Sequence, residues 1–249
     1  MRAWQRLAWT ALSLLAFLAL WQFLSFLVAS RTVPSPLLVL DALIAAAEGG
    51  RLFYHISATL GRVGAAFFIA LLLGSAVGIL LGRAPKLDRL FNSWLVLFLN
   101  LPALVVIILC YVWFGLTEAA AVTAVAINKI PNVAVIMREG ALALDRDLAE
   151  MARVYRFGAW KTLRHVVLPQ LVPFFAAAAR SGLALVWKIV LVVELLGRSS
   201  GVGFELYMAF QLFDVATILA YAFAFILVIQ LIELALLQPW ERAVNRWRR

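Results

Sequence analysis

The chain predicts an all-α helix bundle set in a membrane, on three observations. Its 249 residues are 65% hydrophobic, with a mean hydropathy of +0.98, far above the roughly 45–50% apolar content of soluble domains. The apolar residues fall into six long runs, each near the ~20 residues a helix needs to cross a bilayer. Between the fourth and fifth runs lies a charged stretch, 145–169, that hydrocarbon would reject, because a charged side chain costs roughly 2.5–3.5 kcal/mol at a helix centre.

The six expected spans are 7–28, 61–81, 94–115, 119–137, 172–196 and 215–237. The first follows Arg2 and Arg6, as the core of a secretory leader would. Its apolar run outlasts the roughly 7–15 residues of such a core, so a retained helix is expected. After it, Pro34 and Pro36 set the start of an amphipathic helix over 37–47, expected to cover the ends of the spans. In the second span Gly74, Gly78 and Gly82 recur every four residues, a small-residue face for close helix packing. Asn128, Lys129, Pro131 and Asn132 interrupt the fourth span, and Pro131 removes a backbone donor there, which predicts a kink. The segment 198–213 carries two glycines and Glu205, and reads either as a helix on the outer face or as a partly re-entrant loop. The expected organisation is an N-terminal membrane helix (1–32), a transmembrane domain (33–237) and a basic tail (238–249). In the tail, Trp240, Trp247 and the closing RWRR suit an interfacial anchor.

Charge sets the orientation. With both termini cytoplasmic, the inner segments hold Arg2, Arg6, Arg83, Lys86, Arg89, Arg138, Arg146, Arg153, Arg156, Lys161, Arg164, Arg242, Arg246, Arg248 and Arg249. The outer segments hold Arg31, Arg51, Arg62 and Arg198, so the balance is 15 against 4, and positive residues stay inside. The net charge of +9 is therefore a membrane signature. It flanks apolar runs and makes no basic stripe interleaved with aromatics, so nucleic acid is not an expected partner.

The segment 145–169 is thereby placed in the cytoplasm, and it is patterned. Leu148, Met151 or Ala152, and Tyr155 recur at helical spacing. Asp145 and Asp147 suit the positive end of a helix, and Arg153 and Arg156 the other. Phe157 and Gly158 read as a turn, and a second short helix is expected over 160–167, with the next span beginning at Pro169. A helix lying passively on the membrane would show a broader apolar stripe and a mainly cationic face. The narrow stripe and mixed charge point instead to a surface that a partner grips.

This segment resembles the EAA loop of type I ABC importer permeases, the membrane subunits of binding-protein-dependent uptake systems. In that loop a Glu-Ala-Ala is followed by glycine, nine residues, an apolar residue, any residue, leucine and proline. Counting back from Pro169 sets Glu150, Met151 and Ala152 on the triplet, and Val166 and Leu168 on the later apolar positions. Arg156 stands where the motif has glycine, and Gly158 follows two residues later. Other stretches look like the alkanesulfonate, taurine, nitrate and aminopyrimidine branch. They are Val33-Pro34-Ser35-Pro36, Leu60-Gly61-Arg62-Val63, Trp113-Phe114-Gly115, Trp187 followed by Glu194, and Gly201-Val202-Gly203, within about 34–214. Asn100 and Pro102 resemble the proline-bearing start of that family's third span, where the helix bends.

The resemblance implies a multi-pass protein of the bacterial inner membrane that forms half of a translocation path for a small, anionic solute, as one of a homodimer. It implies a separate cytoplasmic ATPase that uses ATP and Mg, with no cofactor held by this chain, and an extracytoplasmic solute-binding protein. The chain has no Gly-Lys dipeptide and hence no phosphate-cradling loop of its own. The ATPase-coupling residues so implied are Glu150, Met151, Ala152, Arg153, Tyr155, Arg156 and Gly158, with Glu150 fixing the coupling helix.

Candidate path residues are Asn100, Asn128, Lys129, Asn132, Lys188 and Glu194. Lys129, Lys188 and Arg180 lie at membrane depth, where charged residues face a cavity or a partner. One reading has Asn128, Lys129 and Lys188 lining the path. The other has Lys188 paired with a carboxylate such as Glu194, and Lys129 snorkelling at a helix interface. Lys188 and Glu194 are six residues apart, so a pair within one straight helix is disfavoured. Glu118 reads as a solvated residue of a short outer turn. Cys110 reads as a packing residue. His55 and His165 stand alone on opposite sides of the membrane, so neither a metal site nor a hydrolytic constellation is expected. A scaffold that docks a cytoplasmic partner without transport, and an ion-driven secondary transporter, are the alternatives. The many polar residues within spans weigh against the first. The missing repeat, with Glu194 and Glu233 near span ends, weighs against the second.

Overall fold

The computed structural model describes residues 3–28, 30 and 32–240. Arg2, Arg31 and the part of the basic tail from 241 onward, Trp247 included, lie outside the described residues. Every regular element among them is helical: α1 (Ala3–Val28), α2 (Pro36–Glu48), α3 (Arg51–Arg83), α4 (Pro85–Asn100), α5 (Ala103–Phe114), α6 (Glu118–Leu142), α7 (Arg146–Val154), α8 (Ala159–Thr162), α9 (Leu168–Gly197), α10 (Val202–Gln211) and α11 (Val215–Ile232). Five of these stretches are long and apolar enough to span a membrane, six if α4 and α5 count as one.

Local chemistry sets the boundaries. Ser35, Thr117, Asp145 and Asp214 each accept a backbone N–H from the first turn of the helix they precede, satisfying groups that helix starts leave open. The expected third span is not one helix. Leu101 is held extended ahead of Pro102, as proline demands of the residue before it, and α4 and α5 meet at 94°. The second span starts at Arg51 rather than at residue 61, so His55, Thr59 and Arg62 belong to the helix. The expected separate helix over 160–167 is also corrected. α8 runs through a π-helical turn, Leu163–Val167, straight into α9, giving one helical stretch from Ala159 to Gly197. Pro169 lacks the N–H an α-helix would donate to the His165 carbonyl. Just before it, Leu168 bonds back five residues to Leu163 instead. The segment 198–213 resolves as a helix, α10, tucked between α9 and α11.

The bundle closes around α3, α6 and α9. The small-residue face of α3 does what its spacing implied: a Cβ on Gly74, Gly78 or Gly82 would stand within 2.6 Å of α6 atoms, so the two backbones touch there. One apolar core runs through Ala66, Ile107, Val125, Val186, Val190 and Tyr221. Cys110 is buried in it. The α1 helix lies at the margin, fastened by the Trp21 indole donating to the Pro34 carbonyl at 2.9 Å and Ser25 donating to the Val33 carbonyl at 2.9 Å.

Candidate functional site

At one end of the bundle α7 stands out as a knuckle. Its last turn closes with two bonds: the Arg156 N–H donates to Arg153 O at 3.0 Å, and the Phe157 N–H to Ala152 O at 2.8 Å. That pattern needs a left-handed residue just past the helix, and Arg156 adopts it with φ +50°. Arg156 thus takes the conformation that glycine, the residue expected by the motif, adopts without strain. At the front, the Gln170 side chain of α9 accepts the Asp145 N–H at 2.8 Å and donates to Val166 O at 2.8 Å. Lys161 sits 4.2 Å from the centre of the Phe157 ring. The knuckle is therefore tied to α9 at both ends of α7.

Of the expected coupling residues, Ala152 is buried and Met151 half-buried, seating the helix, while Glu150, Arg153, Tyr155, Arg156 and Gly158 are exposed. Val154 is 78% and Tyr155 71% exposed, with Trp160 close by in the chain and open as well. Glu150, Arg153, Val154 and Tyr155 are thus all open around the end of α7, a mixed and partly aromatic set of exposed side chains.

At the opposite end lies a polar network that the sequence did not reveal as one. Glu194 is 0% exposed and accepts from Arg62 Nη1 at 2.6 Å, Thr59 Oγ1 at 2.9 Å and the Gly203 N–H at 2.9 Å. Arg62 also reaches Glu118 through Nε and Nη2 at 2.8 and 2.7 Å, and the Ser200 carbonyl and hydroxyl at 2.7 Å each. Arg198 meets Glu118 at 2.6 Å and also donates to the Leu116 carbonyl. The reading of Glu118 as merely solvated is corrected: it is exposed, yet held by two arginines. His55 is not alone either. Its Nδ1 accepts the Gly201 N–H at 3.0 Å, and its Nε2 lies 2.9 Å from Glu205. With Val202 donating to Thr59 at 2.8 Å, the N–H groups of Gly201, Val202 and Gly203 at the start of α10 are taken by side chains of α3 and α9. The cue was present as three charges, Arg62, Glu118 and Glu194, in or beside apolar runs. Their pairing was not, because Glu118 and Glu194 lie 56 and 132 residues from Arg62.

The remaining path candidates separate. Lys129, 1% exposed, is inside the bundle, with Nζ donating to Asn132 Oδ1 at 2.7 Å. Ser181 of α9 donates to the same oxygen at 3.3 Å. Asn128 is half-buried and bonds back to Ala124 O. Lys188 and Asn100 are exposed, Asn100 bonding to Val96 O. The alternative that pairs Lys188 with Glu194 is overturned, since Arg62 occupies that carboxylate. Lys188 instead borders a cleft of about 250 Å³ between α9 and α11 with Arg180, Trp187 and Glu233, where Arg180 and Glu233 stand 4.0 Å apart. Groups of three or more residues able to hold a metal ion do not occur among the described residues.

Comparison with known proteins places this geometry. Residues 70–237 match the family model described as the binding-protein-dependent transport system inner membrane component. The chain is 28% identical over 233 residues to the putative aliphatic sulfonates transport permease protein SsuC of Bacillus subtilis, covering 93% of this chain and 84% of that one. It is 26% identical over 230 residues to the taurine transport system permease protein TauC of Escherichia coli, covering 88% and 84%. A chain from the inward-facing MetNI methionine ABC transporter superposes with a TM-score of 0.67 at 19% identity, covering 80% of this chain and 97% of that one. At that identity the likeness speaks for the fold alone.

Proposed function

Since this chain belongs to the family of binding-protein-dependent transport system inner membrane components, we propose that it is the permease subunit of an ABC importer for a small organic anion of the sulfonate type. Two copies form the path, each gripped by a separate cytoplasmic ATPase that hydrolyses ATP with Mg, while a solute-binding protein delivers cargo from outside. The chain crosses the bacterial inner membrane several times, with both termini and α7 in the cytoplasm. The 15-to-4 bias of Lys and Arg supports that orientation. Sulfonate and taurine permeases among its relatives support the cargo class.

One observation carries the mechanism: α7 is exposed on its outer face and joined to the helical stretch that becomes α9 by a short turn, 155–158, closed by its own backbone bonds. The Gln170 bridge and the closed last turn make α7 and α9 a single body. The α9 helix then runs 30 residues, about 45 Å at 1.5 Å per residue, to Glu194 and the start of α10. A stroke of the ATPase on α7 is thereby delivered to the far end of the bundle, where it biases access between the two sides. Asn128, Asn132, Lys188 and Asn100 face or border the path, Glu150 fixes α7 in the groove of the ATPase, and Lys129 and Glu194 act from inside the bundle.

The test is reconstitution of the chain with its ATPase and binding protein in liposomes. Sulfonate uptake that depends on ATP, and that Glu150→Lys abolishes while the subunit still inserts, supports the reading. Wild-type vesicles that hydrolyse ATP without any sulfonate dependence, or a Glu150→Lys variant with undiminished uptake, sink it.

A further inference from the structure

Lys129, Asn132 and Ser181 meet near the middle of α6, in the interior of a span. A lysine ammonium has only donors, so the Nζ of Lys129, 2.7 Å from Asn132, fixes which end of that amide it faces: the oxygen. Ser181 spends its proton on the same oxygen at 3.3 Å. The Asn132 amide is thus held in one orientation, and its Nδ2, which donates to no described residue, is turned away from Lys129. Asn132 is half-buried and Ser181 exposed. Ser181 and Lys188, seven residues apart, fall on nearly one face of α9. An exposed polar face at this depth is incompatible with acyl chains and so borders water or a second copy. Gly182 packs against Lys129: a Cβ there would come within 3.1 Å of the lysine side chain.

We infer that Lys129 is a positioning residue for an oxyanion subsite. It never touches the solute, but aims the Asn132 N–H pair, beside Ser181, at a sulfonate or similarly charged oxygen group passing along α9. This deepens the importer reading and rests on it. Neutral donors held in a fixed orientation from behind offer the anion hydrogen bonds without trapping the solute in a direct ion pair, which a path that must also release its cargo requires.

The experiment measures equilibrium binding of a radiolabelled short alkanesulfonate to the purified complex of this chain with its ATPase, beside its thermal midpoint in detergent. Lys129→Met leaves the Asn132 oxygen held by the 3.3 Å Ser181 bond alone and weakens binding about tenfold, the scale of one charge-assisted hydrogen bond. Lys129→Gln, which still offers N–H groups to the Asn132 oxygen, restores binding to within about threefold of wild type. Asn132→Asp pairs with Lys129, keeps the midpoint and loses the anion. Binding by Lys129→Met equal to wild type overturns the inference, as does a Lys129→Gln variant that falls as far as Lys129→Met, which would assign the effect to charge. If Lys129→Met does not fold, Asn132→Asp decides, and sulfonate binding retained there overturns it. A wild-type complex that neither binds nor imports sulfonate removes the parent reading first. Import that survives with Lys129→Met binding unchanged removes this one alone.

Discussion

Arg62 donates to Glu194 across 2.6 Å, joining helices 132 positions apart in sequence, in a site closed to the surface. The pair is more than a bond between two spans. The carboxylate also accepts the Gly203 N–H, and the guanidinium donates to the Ser200 carbonyl, so α10 is docked through it. Breaking a buried pair by removing one partner costs about 3–5 kcal/mol, since the survivor keeps its desolvation penalty. Glu194→Ala is therefore expected to lower the thermal midpoint sharply and to open the 198–213 segment to protease. Arg62→Met with Glu194→Leu recovers part of the midpoint but not the protection of α10, as read by limited proteolysis of the same samples.

Glycine spacing along α3 makes a sharper prediction, because neighbouring glycines differ. A Cβ on Gly78 would stand 2.3 Å from the Ala134 carbonyl oxygen, a backbone atom with no rotamer to move, whereas one on Gly61 meets nothing within 4 Å. Gly78→Ala is expected to destabilise by about 1–3 kcal/mol through forced separation of α3 and α6. Gly61→Ala is expected to be neutral or to stabilise slightly. Melting of the two variants in one detergent, with wild type alongside, checks the contrast.

What the sequence revealed and what it hid divide along a physical line. Spans, the small-residue face and the cap residues of α7 are local patterns, readable because a helix repeats every 3.6 residues. The continuity of α8 with α9 was hidden, since Pro169 reads as a boundary in sequence but is absorbed by a π-turn. The break at Leu101-Pro102 was underestimated for the opposite reason: an apolar run has the same hydropathy whether straight or bent at 94°. Nor did Lys129 reveal its neighbour Ser181, which lies 49 residues from Asn132. Long-range polar pairing leaves no periodicity in the chain.

Arg156 holds φ +50° where the family motif has glycine. A non-glycine residue in the left-handed region costs roughly 1–2 kcal/mol. Arg156→Gly is therefore expected to raise the midpoint of the knuckle, or leave it unchanged once the added freedom of the unfolded chain is set against relief of strain. Its coupling should be intact. Arg156→Val, β-branched and poorly suited to that backbone, is expected to open the turn and to lower sulfonate-stimulated ATP hydrolysis. Measuring hydrolysis for both variants at matched expression separates strain from any contribution of the arginine charge.

On the proposed reading, the link between α7 and α9 is where transport is uncoupled without altering the exposed face of α7. Gln170 spans it with one 2.8 Å bond, accepting the Asp145 N–H, while its amide nitrogen is anchored within its own helical stretch by a 2.8 Å bond to the Val166 carbonyl. Each such bond contributes about 1 kcal/mol, enough to decide whether α7 moves with α9 or slips. Gln170→Leu fills similar volume but makes neither bond, while Glu150, Tyr155 and the rest of the outer face are unchanged. The expected outcome is an ATPase that still binds and still hydrolyses ATP, with fewer sulfonate molecules imported per ATP. Counting both in the same liposomes reads the ratio. A Gln170→Leu transporter with the wild-type ratio would mean that the stroke does not pass through this bridge.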